Sequence, residues 1–278
     1  MVEKGSLYIV ATPIGNLGDM SPRAVEILSG VDVIACEDTR HSARLMQHFG
    51  IQTPCIAYHE HNERQACPKL VSRLQGGEAV ALVSDAGTPL VSDPGYHLVH
   101  HARAAGCAVV PVPGPVALVA ALSASGLPSD RFVFEGFLSA KAVARRQRLQ
   151  LLADDVRTLI FYESTHRVEA SVADMAEILG GDRQAVIARE LTKRFETIHG
   201  DSLNGLAAWL AADANQRRGE FVVMVHGSHA ESARVIDAEA ERLLKVLLSE
   251  LPLKQAAALT AKITGLKKNA LYQHGLTL

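Results

Sequence analysis

Short runs of small and β-branched apolar residues recur through the first 112 positions, each closed by a burst of Gly, Pro, hydroxyl or charged residues. The runs at 7–11 (LYIVA), 31–35, 79–84 and 109–112 read as strands buried on both faces. Between them lie helical stretches at 22–28, 43–49 and 96–105. The first has Ser21 as N-cap and Pro22 at its first position, and Gly106 ends the last. This alternation predicts a parallel sheet with helices on its faces.

The second half has another texture. A rigid Pro-Gly-Pro turn at 113–115 leads into a small-residue helix at 118–125, and strands are expected at 132–134, 158–162, 185–188 and 221–225. Two of these strands open into charged bursts: Glu163 to Arg167 and Arg189 to Arg194. Lys141, Arg145, Arg146 and Arg148 form the densest basic cluster, which reads either as a solvated helix face or as a place for phosphate contacts. After a polar linker at 228–234, an amphipathic helix at 239–251 precedes a helix-turn-helix pattern at 253–263 and 266–274. Lys254, Lys262, Lys267 and Lys268 give it a basic face, suited to RNA contact or to a packing role. The expected division is an α/β domain at 1–113, a second α/β domain with a mixed sheet at 114–230, and a helical extension at 231–278.

A chain of 278 residues can bury two cores. The formal net charge of −2 gives no global nucleic-acid signature, so RNA binding would have to come from local patches. Cys36, Cys55, Cys67 and Cys107 lack C-x-x-C spacing, which argues against a zinc site and a disulfide framework and for reduced thiols in the cytoplasm. The N-terminal apolar run is too short for a signal peptide, and no window approaches a membrane span.

The candidate chemistry sits where strands end. The loop within EAVALVSDAGTPLVSDPG, residues 78–95, packs Asp85, Gly87, Thr88, Ser92, Asp93 and Gly95 after a buried strand, where open α/β sheets bind small molecules. The loop TPIGNLGD at 12–19 precedes a helix start but contains no G-x-G-x-x-G. Glu37, Asp38, Arg40 and His41 follow another strand, either as site residues or as a helix N-terminus whose carboxylates complement the dipole and pair with Arg40. His59 and His61 alternate as strand ligands would, but no third metal ligand is placed near them.

Taken together, TPIGNLGDMSPRA, ACEDTRHS, YHEHNE, LVSDAGTPLVSDPGYHL, VPGPVA, GLPSDRF, FYESTHR and ARELTKRFETIHG resemble the tetrapyrrole methylase superfamily. Within it they resemble the cytidine 2′-O-ribose methyltransferases of small-subunit (16S) ribosomal RNA. The resemblance runs from residue 7 to about 225, and the C-terminal helices are in keeping with it. It implies two α/β domains, S-adenosyl-L-methionine in the cleft between them, the small ribosomal subunit as acceptor, and usually a homodimer. The cofactor contacts it implies are Ile14, Gly15, Asp85, Gly87, Thr88, Val116, Ala117, Glu163 and Lys193. Where many relatives carry Gly-Pro-Gly-Asp, this chain has Pro13, Ile14, Gly15 and Asn16, and so lacks that loop's acidic residue.

Methyl transfer from a sulfonium is an in-line displacement in which alignment supplies much of the acceleration. A carboxylate could accept the proton of the ribose hydroxyl, with Glu37 and Asp38 as the catalytic candidates and Arg40 orienting them or holding a phosphate. His166, Arg167, Arg189 and Glu190 are candidates for RNA contact or closure of the site. Two other classes fit the same residues: a small-molecule methyltransferase, and a ribosome-binding protein with a vestigial cofactor site.

Overall fold

The structure is a computed structural model describing residues 2–228, 236, 238–266 and 268–278. The expected linker, apart from Ser228, and Lys267 lie outside the described residues. The apolar runs of the first half become β1 (Ser6–Val10), β2 (Val33–Cys36), β3 (Cys55–Ala57), β4 (Val80–Val83) and β5 (Ala108–Val112). They pair in parallel in the order β3-β2-β4-β1-β5.

Period-two alternation explains why these strands are apolar throughout. In β4, Val80 and Leu82 join one core with Leu70 and Leu74 of α3 (Glu63–Gln75) and Leu98 of α4 (Tyr96–Ala104). Ala81 and Val83 face the other way, toward Ile27 and Leu28 of α1 (Pro22–Gly30) and Met46 of α2 (Thr39–His48). Ser21 caps α1 as expected, its hydroxyl accepting from the Ala24 N–H at 3.1 Å.

A second sheet contains β6 (Phe132–Phe137), β7 (Thr158–Ser164), β8 (Gln184–Arg189), β9 (Thr197–Ser202) and β10 (Glu220–Val225) in the order β6-β7-β10-β8-β9. Only β6 and β7 run parallel, so the sheet is mixed. One face is covered by α6 (Ala142–Leu152), α7 (Val168–Leu179) and α8 (Leu203–Ala212). The other is covered by α5 (Ala117–Ser125), through Leu118, Ala121 and Leu122. Val91, from the loop after β4, packs into that same cluster and ties the two lobes together. The C-terminal α9 (Ala238–Leu248), α10 (Leu253–Thr264) and α11 (Lys268–Gly275) share a separate core around Leu244, Ala256, Ala257 and Leu271. No helix among the described residues is long and apolar enough to cross a membrane.

Several elements differ from expectation. Helix α2 starts at Thr39 rather than at 43, because Asp38 caps it. Strands β3 and β9 and helices α3, α7 and α8 were not anticipated; β9 is largely exposed, and α3 carries Pro68.

The basic cluster divides: Arg145 is withdrawn into the interior, whereas Lys141 and Arg148 are exposed and Arg146 is part-exposed, both of these arginines being held by carboxylates of this chain. Arg145 is 5% exposed, with Nε donating to Asp174 Oδ2 at 2.7 Å. Arg146 bridges Asp174 and Glu177, and Arg148 is bidentate on Glu135. These pairs fasten α6 to α7 and β6. Removing one partner of a buried pair leaves an uncompensated charge. Arg145→Met should therefore lower the unfolding free energy by roughly 3 kcal/mol, the low end of the usual range because Arg146 still faces Asp174. Denaturant titration checks this, and an unchanged midpoint would contradict it.

Candidate functional site

Three loops leave the carboxyl ends of β1, β4 and β5 and are tied to one another. The Thr12 N–H donates to the Gly87 carbonyl at 2.8 Å, and the Gly87 N–H returns a bond to the Thr12 carbonyl at 3.0 Å. Thr88 Oγ1 donates to the Pro115 carbonyl at 3.0 Å. Gly87 has φ +82°, and a Cβ there would stand 3.3 Å from Ile14 Cγ2, so the position suits glycine on conformation and on space.

The non-glycine residues with positive φ among those described are Leu90, Ser92, Glu190 and Thr192. Each costs on the order of 1–3 kcal/mol of local strain, which persists only where the surroundings enforce it. All four lie on two loops, one from each lobe, that flank a single cleft of about 320 Å³.

The first lobe lines this cleft with Ile14 and the loop from Asp85 to Asp93; the second contributes Val116 and Ala117 at the start of α5, with Phe137, Tyr162, Glu163, Ala188, Leu191 and Val222. Of the expected cofactor contacts, Ile14, Asp85, Gly87, Thr88, Val116, Ala117 and Glu163 therefore border one space. Gly15 and Lys193 do not line it. They meet across the lobes, where a Cβ on Gly15 would fall 2.5 Å from Lys193 Cγ. Lys193 Nζ donates to Glu190 Oε1 at 2.9 Å and to Glu220 Oε2 at 2.7 Å. Burial works to lower its pKa, but these two carboxylates outweigh burial and raise it.

Glu163 borders the cleft with its carboxylate already engaged. Oε1 accepts from Ser171 Oγ at 2.7 Å, and Arg167 Nε lies 3.5 Å from Oε2. The arginines expected at RNA are internal braces. Arg167 also donates to the Leu138 carbonyl, and Arg189 donates to the carbonyls of Phe195, Asn215 and Arg218.

Glu37, Asp38 and Arg40 do not line the cleft. Asp38 caps α2, with Oδ1 accepting from the Arg40 N–H at 2.8 Å, and it pairs with a guanidinium whose side chain is 90% exposed. Hydrogen bonding to the Arg40 side chain, more than any other influence, lowers the Asp38 pKa. The Asp38 N–H in turn donates to Asp85 Oδ1 at 3.0 Å, anchoring the central loop. Glu37 has its pKa raised by burial and then by the charges of Asp85, Asp93 and Glu60. His59 and His61 have ring centroids 6.0 Å apart, and no group of three or more metal-ligating side chains suited to an ion occurs among the described residues.

Sequence reasoning placed Asp93 in the central loop without giving it a role, and it passed over the lining residues Phe137 and Tyr162. Tyr162 closes one wall, its hydroxyl accepting from the Leu118 N–H at 3.2 Å, with Phe134 and Phe137 edge-on to its ring. The guanidinium of Arg167 sits 5.6 Å above the Phe137 ring. Burial pushes the Asp93 carboxyl up to about 6; a Ser84 hydrogen bond opposes this and the Asp85 charge adds to it. A tyrosine at the foot of an apolar strand was the available signal for Tyr162. Phe137 looks like core.

Two α/β lobes, one with a parallel and one with a mixed sheet, with a cleft between them define a class seen in solved structures. The methyltransferase CobJ superposes with a TM-score of 0.61 at 20% identity, over 81% of this chain and 95% of that one. Residues 6–207 match the family profile of Tetrapyrrole (Corrin/Porphyrin) Methylases, and residues 234–278 match that of the RsmI C-terminal HTH domain. The Ribosomal RNA small subunit methyltransferase I of Pseudomonas aeruginosa is 62% identical over 98% of this chain and 97% of its own length. The protein of the same name from Vibrio cholerae is 57% identical over 97% and 94%. The chain belongs to the tetrapyrrole methylase family, in the branch formed with these small-subunit methyltransferases.

The raised Asp93 pKa has a consequence for stability. An acid held above its ordinary 3.8 favours the folded state fully below that value, and the contribution is lost as pH rises through about 6. Asp93→Asn should therefore gain stability relative to wild type as pH rises across that window. Thermal unfolding of the free protein at several pH values checks this, and a pH-independent difference would contradict it.

Proposed function

We propose that this protein transfers the methyl group of S-adenosyl-L-methionine to the ribose 2′-oxygen of a cytidine in 16S ribosomal RNA, with the small ribosomal subunit as acceptor. The observation that carries the reading is near-full-length identity to small-subunit methyltransferases, joined to a cleft bordered by most of the expected contacts.

The residues present fit the donor. At about 320 Å³ the cleft falls in the ordinary range for small-molecule sites. Its Gly87 cradle would be narrowed by any Cβ, and the acidic side chains of Asp85 and Asp93 at its edge favour a cation. Bound there, the donor supplies an electrophilic methyl group on a positively charged sulfur. Ile14, Val116, Ala117 and Val222 exclude water, and the tied loops fix position, which is the main requirement of an in-line displacement. Glu37 acts through its charge on Asp85 and Asp93, while Asp38 and Arg40 form an exposed ion pair from which an RNA phosphate can recruit the guanidinium. Gly15 and Lys193 close the rim where the lobes meet.

The proposed organisation is 1–113, 114–230 and 231–278, supported by separate core clusters in each part. A cytoplasmic homodimer completes the proposal.

Small subunits from cells lacking the gene, incubated with donor and purified protein, should gain one cytidine 2′-O-methyl group by ribose-methylation mapping. Label in porphyrin precursors, or none in the subunit, would overturn the reading. Activity should also fall with added salt. Neutralising the exposed Lys254 and Lys262 of α10 should flatten that dependence, whereas replacing the internally paired Arg148 should not. Equal slopes in all proteins would remove α10 from the RNA interface.

A further inference from the structure

We propose that Asp93 is the catalytic residue that takes the proton from the acceptor ribose hydroxyl. The inference rests on the methyl-transfer reading above and adds a proton acceptor that the expected trio does not supply, since Glu37, Asp38 and Arg40 stand outside the cleft lining.

The argument is one of commitment and position. Four carboxylate residues line the cleft: Asp85, Asp93, Glu163 and Glu220. Asp85 receives the Asp38 N–H and holds a loop; Glu163 is buried against Ser171 and Arg167; Glu220 pairs with Lys193. Asp93 has no Lys or Arg ion pair among the described residues, and the group that favours its charged form is the neutral Ser84 hydroxyl. Its backbone is held on both sides. Ser92 is left-handed at φ +64°, and Gly95 at φ +136° lies so close to Leu82 that a Cβ would come within 2.8 Å of its Cδ2. A proton acceptor needs this combination of accessible oxygen, fixed position and no competing cation.

The groups facing Asp93 are Asp85 from its own loop, Glu37 from the loop after β2, and Tyr162 from β7. Two are acids and the third is a phenol, so its surroundings favour the protonated form. A group poised near 6 is ionised at neutral pH and still basic enough to accept. The step balances. The ribose oxygen bonds to the methyl carbon, the methyl–sulfur bond breaks with its electron pair left on sulfur as a neutral thioether, and the hydroxyl proton passes to an Asp93 carboxylate oxygen.

Single-turnover methylation of small subunits at saturating donor tests this. The wild-type rate should rise with pH through an apparent pKa no higher than about 6, because a donor cation lowers it further, and then level off. Asp93→Asn should bind S-adenosyl-L-methionine more weakly by calorimetry, having lost one of the two edge carboxylates, and at saturating donor should lose about a hundredfold or more in rate together with the rising limb. Asp93→Glu should keep part of the rate and show a shifted limb. Asp93→Asn within threefold of wild type, with the same limb, overturns the inference and leaves the methyl-transfer reading standing. An inactive wild type overturns both. If Asp93→Asn fails to fold or to bind donor, Asp93→Glu decides alone, and an unmoved limb there overturns the assignment.

Discussion

Two backbone hydrogen bonds between Thr12 and Gly87 determine what the rest of this molecule can do. Strands β1 and β4 are neighbours in a parallel sheet, and beyond their carboxyl ends nothing in sheet geometry keeps the chains together. The reciprocal bonds extend the pairing past the sheet, and the Thr88 hydroxyl carries it on to Pro115. Three loops thereby become one surface. Val91 inserts from that surface into the core under the second sheet, so the position of the loop also sets the spacing of the lobes.

Electrostatics then give the surface its character. Glu37, Asp85 and Asp93 crowd together, and burial raises two of them toward neutrality. Such a cluster is costly when empty and less so when a cation shares the cleft, which suits a sulfonium donor. The lysine nearest the rim is kept away from this duty by Glu190 and Glu220, which hold it between the lobes.

Strands β1, β2 and β4 were legible because burial on both faces leaves an uninterrupted apolar run, whereas β5, expected to be buried likewise, is a part-exposed edge strand; the Ser21–Pro22 helix start was legible because capping is local chemistry. Edge strand β9 was not, since its residues TIHGDS are mostly solvent-facing and carry no alternation to read. Arg145 was misread for a different reason. Nothing in the sequence around 145 shows that Asp174, 29 residues away, lies under it. The site was half legible in the same sense. Loop composition pointed to Asp85, Gly87 and Thr88, but whether a carboxylate is spoken for depends on partners that only the fold brings near. That is why Asp38, capping its helix, and Asp93, lacking a cation partner, could not be told apart beforehand.

The central claim is that the tied loops and the second sheet enclose the methyl donor between them. A crystal grown with S-adenosylhomocysteine tests it most directly. The account predicts the ligand between the loop of residues 85–93 and the wall formed by Tyr162, Ala188 and Val222, with Gly87 against it. A ligand bound on any other surface while this cleft stays empty would contradict it.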